Sequence, residues 1–302
     1  MKPNSTSPMK AQTFCEKEKI SILCIQETHL APDNKTQIDN LFSRRLQVLN
    51  SSDPTRPGNS MGVAFILNKE KLNIEDTKLT ILIPGRAISL SLKWHNEHRI
   101  NILHIYAPNN PQEHPTFWEE IKTAWRLNSL GQIDFMAGDF NITEDPLDRA
   151  PTRQDNIQAI EALRDFRSEF NIQDNWRHTH PNTCLFTSNS NTDSMSRLDR
   201  IYMATAHQES MSDWKSYLCS VPTDHNIVTE KKDGPGPLGV TLDRKLLEQI
   251  ETLGIELQTD LTNNSDQNRT AENSPQLLWD TFKQKMNQIA KETAKQIDRQ
   301  ET

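Results

Sequence analysis

No stretch of this chain approaches the roughly 18 consecutive apolar residues that a membrane-spanning helix needs, and nothing at its N-terminus reads as a signal peptide. Cysteine is scarce. The four, at positions 15, 24, 184 and 219, form neither a CxxC pair nor a Cys/His cluster at zinc spacing, which argues against a structural zinc site. Cys24 sits inside an apolar run and reads as core. Hydrophobic residues make up only 34 % of the 302, little for a globular domain, so an ordered part diluted by a polar part is expected. A basic excess is also missing: the formal charge is −7 and the pI about 5.7. That argues against binding nucleic acid by bulk electrostatics, and leaves room for a local basic stripe beside a metal-neutralised acidic site. The expected location is nuclear or cytoplasmic, not secreted, with reduced thiols.

What the chain does have is a series of short apolar runs rich in Ile, Val, Phe and Tyr: Ile20–Ile25, Gly62–Leu67, Leu79–Ile83 with Ala87–Leu92, Arg99–Tyr106, Ile133–Ala137 and Leu198–Met203. Their length and composition predict strands. Between them lie predicted helices over Thr116–Leu127 and Asn156–Glu169; in the second, Ile157, Ile160, Leu163 and Phe166 recur every three residues. Mixed elements over about 230 residues define an α/β or α+β domain. Residues 1–19 are polar, with a short helix predicted over Met9–Lys19. A domain over 20–230 is then expected, followed by a charged, Gly/Pro-rich linker at 231–241. A tail at 242–302 should hold two amphipathic helices, Leu242–Leu257 and Pro275–Ile297.

The chemistry sits where the apolar runs finish. Ile20–Ile25 ends in Gln26-Glu27-Thr28-His29, Arg99–Tyr106 in Ala107-Pro108-Asn109, and Ile133–Ala137 in Gly138-Asp139-Phe140-Asn141. Asp199 starts a strand instead of ending one, and Thr223-Asp224-His225 sets an acid beside an imidazole. Each has a plain structural explanation: Glu27 as a helix N-terminal charge, Tyr106 as a rim aromatic, His225 as a surface residue, Asp199 paired with Arg197 or Arg200 on the surface. Together they suit metal-assisted attack on a phosphate ester. A hard divalent cation takes oxygen ligands and keeps several waters, so one or two carboxylates suffice. A further Asp can deprotonate the attacking water, and a His held by an Asp can stabilise charge on the phosphoryl oxygens.

With these five blocks in order, the chain resembles the endonuclease/exonuclease/phosphatase superfamily. The variants QETHL, IYAPN, GDFN and LDRIY look most like the endonuclease domain of LINE-type (non-LTR) retrotransposon polyproteins. The resemblance covers residues 20–230. It implies a four-layered α/β sandwich, two mixed sheets packed face to face with helices outside, followed by a helical tail similar to the connector that leads to a reverse transcriptase. It implies that Glu27 binds Mg²⁺ or Mn²⁺ with support from Asp224, and that Asp139 positions or activates water. Asn141 and Tyr106 would hold the scissile phosphate, Asp199 would orient His225, and Asn109 would shape the cleft. DNA is the implied partner, with Arg56, Arg86, Arg149, Arg177 and Arg200 as local cations near the cleft; no stable protein partner is evident.

Two departures accompany the resemblance. Thr223 stands where Ser is common, which keeps the hydroxyl. More seriously, such domains open with an internal strand carrying an Asn near the metal, and only Met1–Pro8 precedes the Met9 helix here. No polymerase motif follows either. The loss of that strand is expected to leave unpaired backbone and an exposed sheet edge, and with them a less stable fold and slower cutting. The alternatives to a DNA endonuclease are a phosphatase of the same superfamily acting on a small phosphate ester, and a catalytically impaired mobile-element remnant.

Overall fold

The computed structural model describes residues 20–30, 35, 36, 38, 40, 44–94, 98–189, 194–218, 225–232 and 238–242. Among the described residues the strands are, in order, β1 (Ile22–Gln26), β2 (Leu46–Ser51), β3 (Val63–Asn68), β4 (Lys78–Ile83), β5 (Ala87–Lys93), β6 (Arg99–Tyr106), β7 (Phe135–Asp139), β8 (Arg149–Ala150), β9 (Ile172–Gln173), β10 (Ser188–Asn189), β11 (Met195–Ser196), β12 (Asp199–Ala204), β13 (Met211–Leu218), β14 (Asn226–Lys232) and β15 (Leu238–Leu242). Helices α1 (His114–Leu127), α2 (Ile157–Glu169) and the short α3 (Asn175–Thr179) lie among them. One six-stranded sheet runs β13-β14-β15-β1-β3-β2 and a second runs β4-β5-β6-β7-β12-β9, while β10-β11-β8 form a small third.

Period-2 alternation decides what each strand buries. Ile22 and Cys24 of β1, with Val63, Phe65 and Leu67 of β3, face Ile100 and Ile102 of β6, Ala137 of β7 and Ile201 of β12 in one cluster between the large sheets. The odd-phase residues of β6, Leu103 and Ile105, point the other way. There they meet Phe117, Trp118, Ile121 and Trp125 of α1 and Leu163 and Phe166 of α2. The other face of the first sheet is covered as well, since Leu23, Ile25 and Ile66 are buried. The fold is a layered α/β sandwich of two sheets and flanking helices.

Both long helices start where local chemistry allows. Pro115 opens the first turn of α1, where its missing N–H costs nothing. The Asn156 side chain caps α2 by accepting from the Ala159 N–H at 3.1 Å, as an N-cap amide should. Ile157, expected on the buried stripe of α2, is instead exposed: it begins the helix and Ala159 takes its place against the core.

A polar link crosses the inter-sheet core. Gln26 Nε2 and His104 Nε2 lie 2.6 Å apart, on the inward phases of β1 and β6, and both residues are fully buried. The ring also meets Phe65 edge-on at 5.3 Å. Burial pushes the His104 imidazole down to about 3, so it is neutral in the folded chain. Unfolded, it titrates near 6.5. Between those two values the unfolded chain binds the extra proton, so stability falls as pH drops from about 6.5 to about 3, by on the order of 4 kcal/mol. His104→Leu is expected to flatten that part of the denaturation-midpoint profile measured against pH; a profile of unchanged slope would count against the buried neutral ring.

The structure departs from the sequence reading at the end of the domain. The span 231–241, expected to be linker, is partly sheet: β14 continues to Lys232 and β15 occupies Leu238–Leu242. The edge expected beside β1 is likewise paired. β15 lies parallel to β1 from Ile22 opposite Leu238 to Gln26 opposite Leu242, and antiparallel to β14 from Val228 to Glu230. Leu242 ends a strand here instead of opening a helix. The predicted helix at Met9–Lys19, the rest of Leu242–Leu257, and Pro275–Ile297 lie outside the described residues.

Candidate active site

Three site residues fall in one row across the second sheet. Tyr106, the last residue of β6, stands opposite Asp139, the last of β7, and Asp139 stands opposite Asp199, the first of β12. Adjacent strands bring them together although 33 and 60 positions separate them in the chain. Close approach of β6 and β7 depends on Gly138, whose φ is +149° and whose missing Cβ would lie 1.9 Å from the Ile105 carbonyl oxygen. No other residue fits there.

The first sheet supplies two more. Glu27 directly follows β1, and His225 directly precedes β14, so both stand at the same end of the sandwich as the row. Each is tied to the opposite sheet. The Tyr106 hydroxyl donates to Glu27 Oε1, and His225 Nδ1 lies 2.9 Å from Asp199 Oδ2. Asn141 Nδ2 donates to the Ala107 carbonyl at 2.9 Å and to Asn109 Oδ1 at 3.0 Å, which places Asn109 beside the phosphate-binding candidates. Glu27 and Asn141 hold left-handed backbone, with φ of 49° and 51°. Asn tolerates that region and Glu does not favour it, so the turn after β1 carries strain at a site residue.

The electrostatics are those of a crowded acidic site. Asp139 is raised to about 7, first by burial and then by Asp199 and Glu27, against the lowering effects of His225 and the Asn141 N–H. That N–H donates to Asp139 Oδ1 at 2.8 Å. The Tyr106 hydroxyl is pushed well above its usual range by burial, Glu27 and Asp139, so it stays a proton donor. Asp199 Oδ1 is buried without a hydrogen-bond partner. The plain alternatives for Asp199 do not hold: Arg197 pairs with Asp148 and Asp174, and Arg200 points to the Ile142 carbonyl and Glu144.

These residues suit a hard divalent cation. The donors are carboxylate, amide and phenol oxygens, and a raised carboxyl beside an orphaned buried carboxylate oxygen marks a site short of positive charge. Among the described residues no three His, Cys, Asp or Glu side chains group closely enough to hold a metal unaided. Asp224 lies outside the described residues.

Sequence reading missed Thr187. Its side chain is fully buried, and its Oγ1 accepts from the N–H groups of Leu198 and Asp199, each at 3.0 Å. Its carbonyl accepts from the Asn226 N–H at 2.6 Å, so one threonine ties the start of β12 to the start of β14. A lone Thr in LFTSNS gives no periodic signal that could reveal this. The expected cationic rim also needs correction. Arg149 is held bidentately by Asp155, Arg177 by Asp148 and three carbonyls, and Arg200 is fully buried. Arg86 remains at the site, 5.3 Å from the centre of the Tyr106 ring.

A two-sheet α/β sandwich whose strand ends gather an Asp–His pair, a poised carboxyl and an acid–phenol pair is an arrangement suited to phosphoester hydrolysis. The model of the endonuclease/exonuclease/phosphatase family matches residues 9–225, and the chain belongs to that family. Solved structures share the fold. An AP endonuclease from Archaeoglobus fulgidus is 19 % identical, with a TM-score of 0.59 over 76 % of this chain and 97 % of that one. The 3′ phosphatase NExo from Neisseria, bound to product DNA hairpin, is 17 % identical, with 0.58 over 76 % and 96 %. The endonuclease domain of TRAS1, a telomere-specific non-LTR retrotransposon, is 14 % identical, with 0.52 over 75 % and 92 %.

Proposed function

We propose that the chain is a divalent-metal-dependent phosphodiesterase that nicks DNA, of the kind found in LINE-type retrotransposons. The observation that carries this reading is the pair of cross-sheet bonds, Tyr106 to Glu27 and His225 to Asp199, closing around Asp139. Glu27, with Asp224, would hold Mg²⁺ or Mn²⁺, which supplies charge stabilisation at the phosphoryl oxygens. Asp139 accepts a proton from the attacking water. His225, oriented through Nδ1 by Asp199, turns its other ring nitrogen to a phosphoryl oxygen. To donate to the phosphate, the Tyr106 hydroxyl would exchange its bond to Glu27, and the Asn141 amide its bond to Asn109, for one to a phosphoryl oxygen. DNA as substrate is supported by the QETHL, IYAPN, GDFN and LDRIY motifs and by the likeness to the TRAS1 endonuclease domain.

Supercoiled plasmid in Mg²⁺ or Mn²⁺ tests the proposal. Nicking by the wild-type chain, lost in Asp139→Ala and His225→Ala, is expected. Phosphate release from a soluble ester without nicking would favour the phosphatase reading, and no turnover of either substrate would favour the remnant. Nicking unchanged by both substitutions would point to a contaminating nuclease.

A further inference from the structure

Asn109, which shares the Asn141 amide with the Ala107 carbonyl, stands on a turn with a buried base. Ala107 and Pro108 are buried, whereas Asn109 and Asn110 face solvent. One side of the turn is fixed by the sheet: the Ala107 N–H donates to the Asp139 carbonyl at 2.9 Å. The other side is fixed by a side chain. The ring of His114, the first residue of α1, reaches back six positions and places Nε2 2.9 Å from the Pro108 carbonyl oxygen. Among the described residues no backbone N–H is bonded to that oxygen. A short 3₁₀ turn, Pro111–Glu113, allows the reach: the Asn110 side chain accepts from the Gln112 N–H at 3.3 Å, and the His114 N–H closes on the Pro111 carbonyl. A carbonyl oxygen only accepts, so the ring carries its hydrogen on Nε2. His114 is wholly buried, and its Nδ1 meets no donor. Burial above all keeps the imidazole below its ordinary value; Arg200 and Arg86 act in the same sense, against the Pro108 carbonyl and Glu113. The ring is a neutral donor with a single bond to make.

We propose that His114 is a positioning residue for phosphate binding: through the Pro108 carbonyl it sets the Ala107–Asn109 turn, and through that turn the direction of the Asn141 amide. The amide has two hydrogens. One goes to the Ala107 carbonyl and aims the group. The other rests on Asn109 Oδ1 and is the one released to a phosphoryl oxygen. Both acceptors belong to the clamped turn, so a turn free to shift loosens them together, and a misplacement of about 1 Å is already costly to catalysis. The link to phosphate rests on the function proposed above; the clamp on the turn does not.

The full-length chain, labelled with nitrogen-15, tests both parts. Nitrogen shifts of the wild-type His114 ring should be those of the Nε2–H tautomer and should not titrate near the ordinary histidine value of about 6.5; mixed tautomers or titration there overturns the clamp. His114→Leu should speed solvent exchange of the Asn141 side-chain amide by about tenfold or more and lower kcat/KM for plasmid nicking by a similar factor. His114→Gln, whose amide nitrogen falls near the imidazole Nε2, should restore both. His114→Asn, whose amide stands in for Nδ1, should not. A histidine that only holds the fold together would move the melting temperature alone, and its cost would add to that of a change at Asn141. In an Asn141→Ala background, His114→Leu should instead lower kcat/KM by less than about twofold more. A full tenfold further loss there overturns the proposal, as does an Asn141 amide unmoved by His114→Leu. Should His114→Leu unfold the chain, the contrast between His114→Gln and His114→Asn decides, and equal behaviour of the two overturns the proposal. If the wild type nicks nothing, the proposed function falls, and the ring shifts and amide exchange still decide the clamp.

Discussion

Asp139→Asn is expected to cut nicking by about 10²- to 10⁴-fold, the usual contribution of a positioned acid–base group, while making the chain more stable at pH 8. The two effects share a cause. Burial, Asp199 and Glu27 lift Asp139 to about 7, so the folded chain holds a proton there between about pH 4 and 7 that the unfolded chain has released. The folded state binds more protons in that window, and stability therefore falls as pH rises through it. Asn keeps an oxygen to accept the Asn141 N–H and carries no charge to bury. The melting temperature of Asp139→Asn should exceed that of the wild type by several degrees at pH 8, with the gap closing toward pH 4. A divalent cation added to the wild type should offset part of the repulsion and narrow the gap at pH 8. Melting curves with and without Mg²⁺ at the two pH values read this directly; a variant no more stable than the wild type at pH 8 would contradict the uncompensated charge.

Gly138→Ala is expected to be the most destabilising single-methyl change at the site. Its Cβ would fall 1.9 Å from the Ile105 carbonyl oxygen and 2.9 Å from the Ile105 carbonyl carbon. Both are backbone atoms of the neighbouring strand and cannot swing away. The φ of +149° adds strain for any side chain. Relief requires β6 and β7 to part beside the Tyr106–Asp139 pair, at a cost of about 3 kcal/mol or more, in the range reserved for overpacking combined with backbone strain. The urea midpoint should drop accordingly, with nicking falling further than stability alone dictates because Tyr106 and Asp139 move apart. An unfolding free energy within about 0.5 kcal/mol of wild type would mean that the strands are less closely apposed than the structure has them.

The middle of the second sheet was legible in the sequence because β5, β6, β7 and β12 are internal and apolar. The runs Ala87–Leu92 and Arg99–Tyr106 match β5 and β6 nearly residue for residue, and the polar ends of β1, β6 and β7 announced the site. What stayed hidden has physical reasons. β2, LQVLNS, lies at an edge and buries only Leu46, Val48 and Ser51, and β13, MSDWKSYL, is an edge strand too polar to signal itself. β15 was concealed by its company: LGVTL follows Gly-Pro-Gly-Pro, and punctuation of that kind is read as linker whatever comes next. The arginines misled for another reason. A sequence shows a positive charge but not its direction, and burial in this fold turned Arg197 and Arg200 inward.

That inward turn has a consequence for how the molecule would meet its substrate. Attraction between a protein and DNA grows with the number of phosphates its cations neutralise, each releasing condensed counterions. Of the five arginines expected near the cleft, Arg149, Arg177 and Arg200 are committed to internal carboxylates and carbonyls, which leaves Arg86 beside the Tyr106 ring and the exposed Arg56 to be exchanged for ions in solution. Were DNA the substrate, as proposed, its association would then depend less steeply on ionic strength than five free arginines would make it.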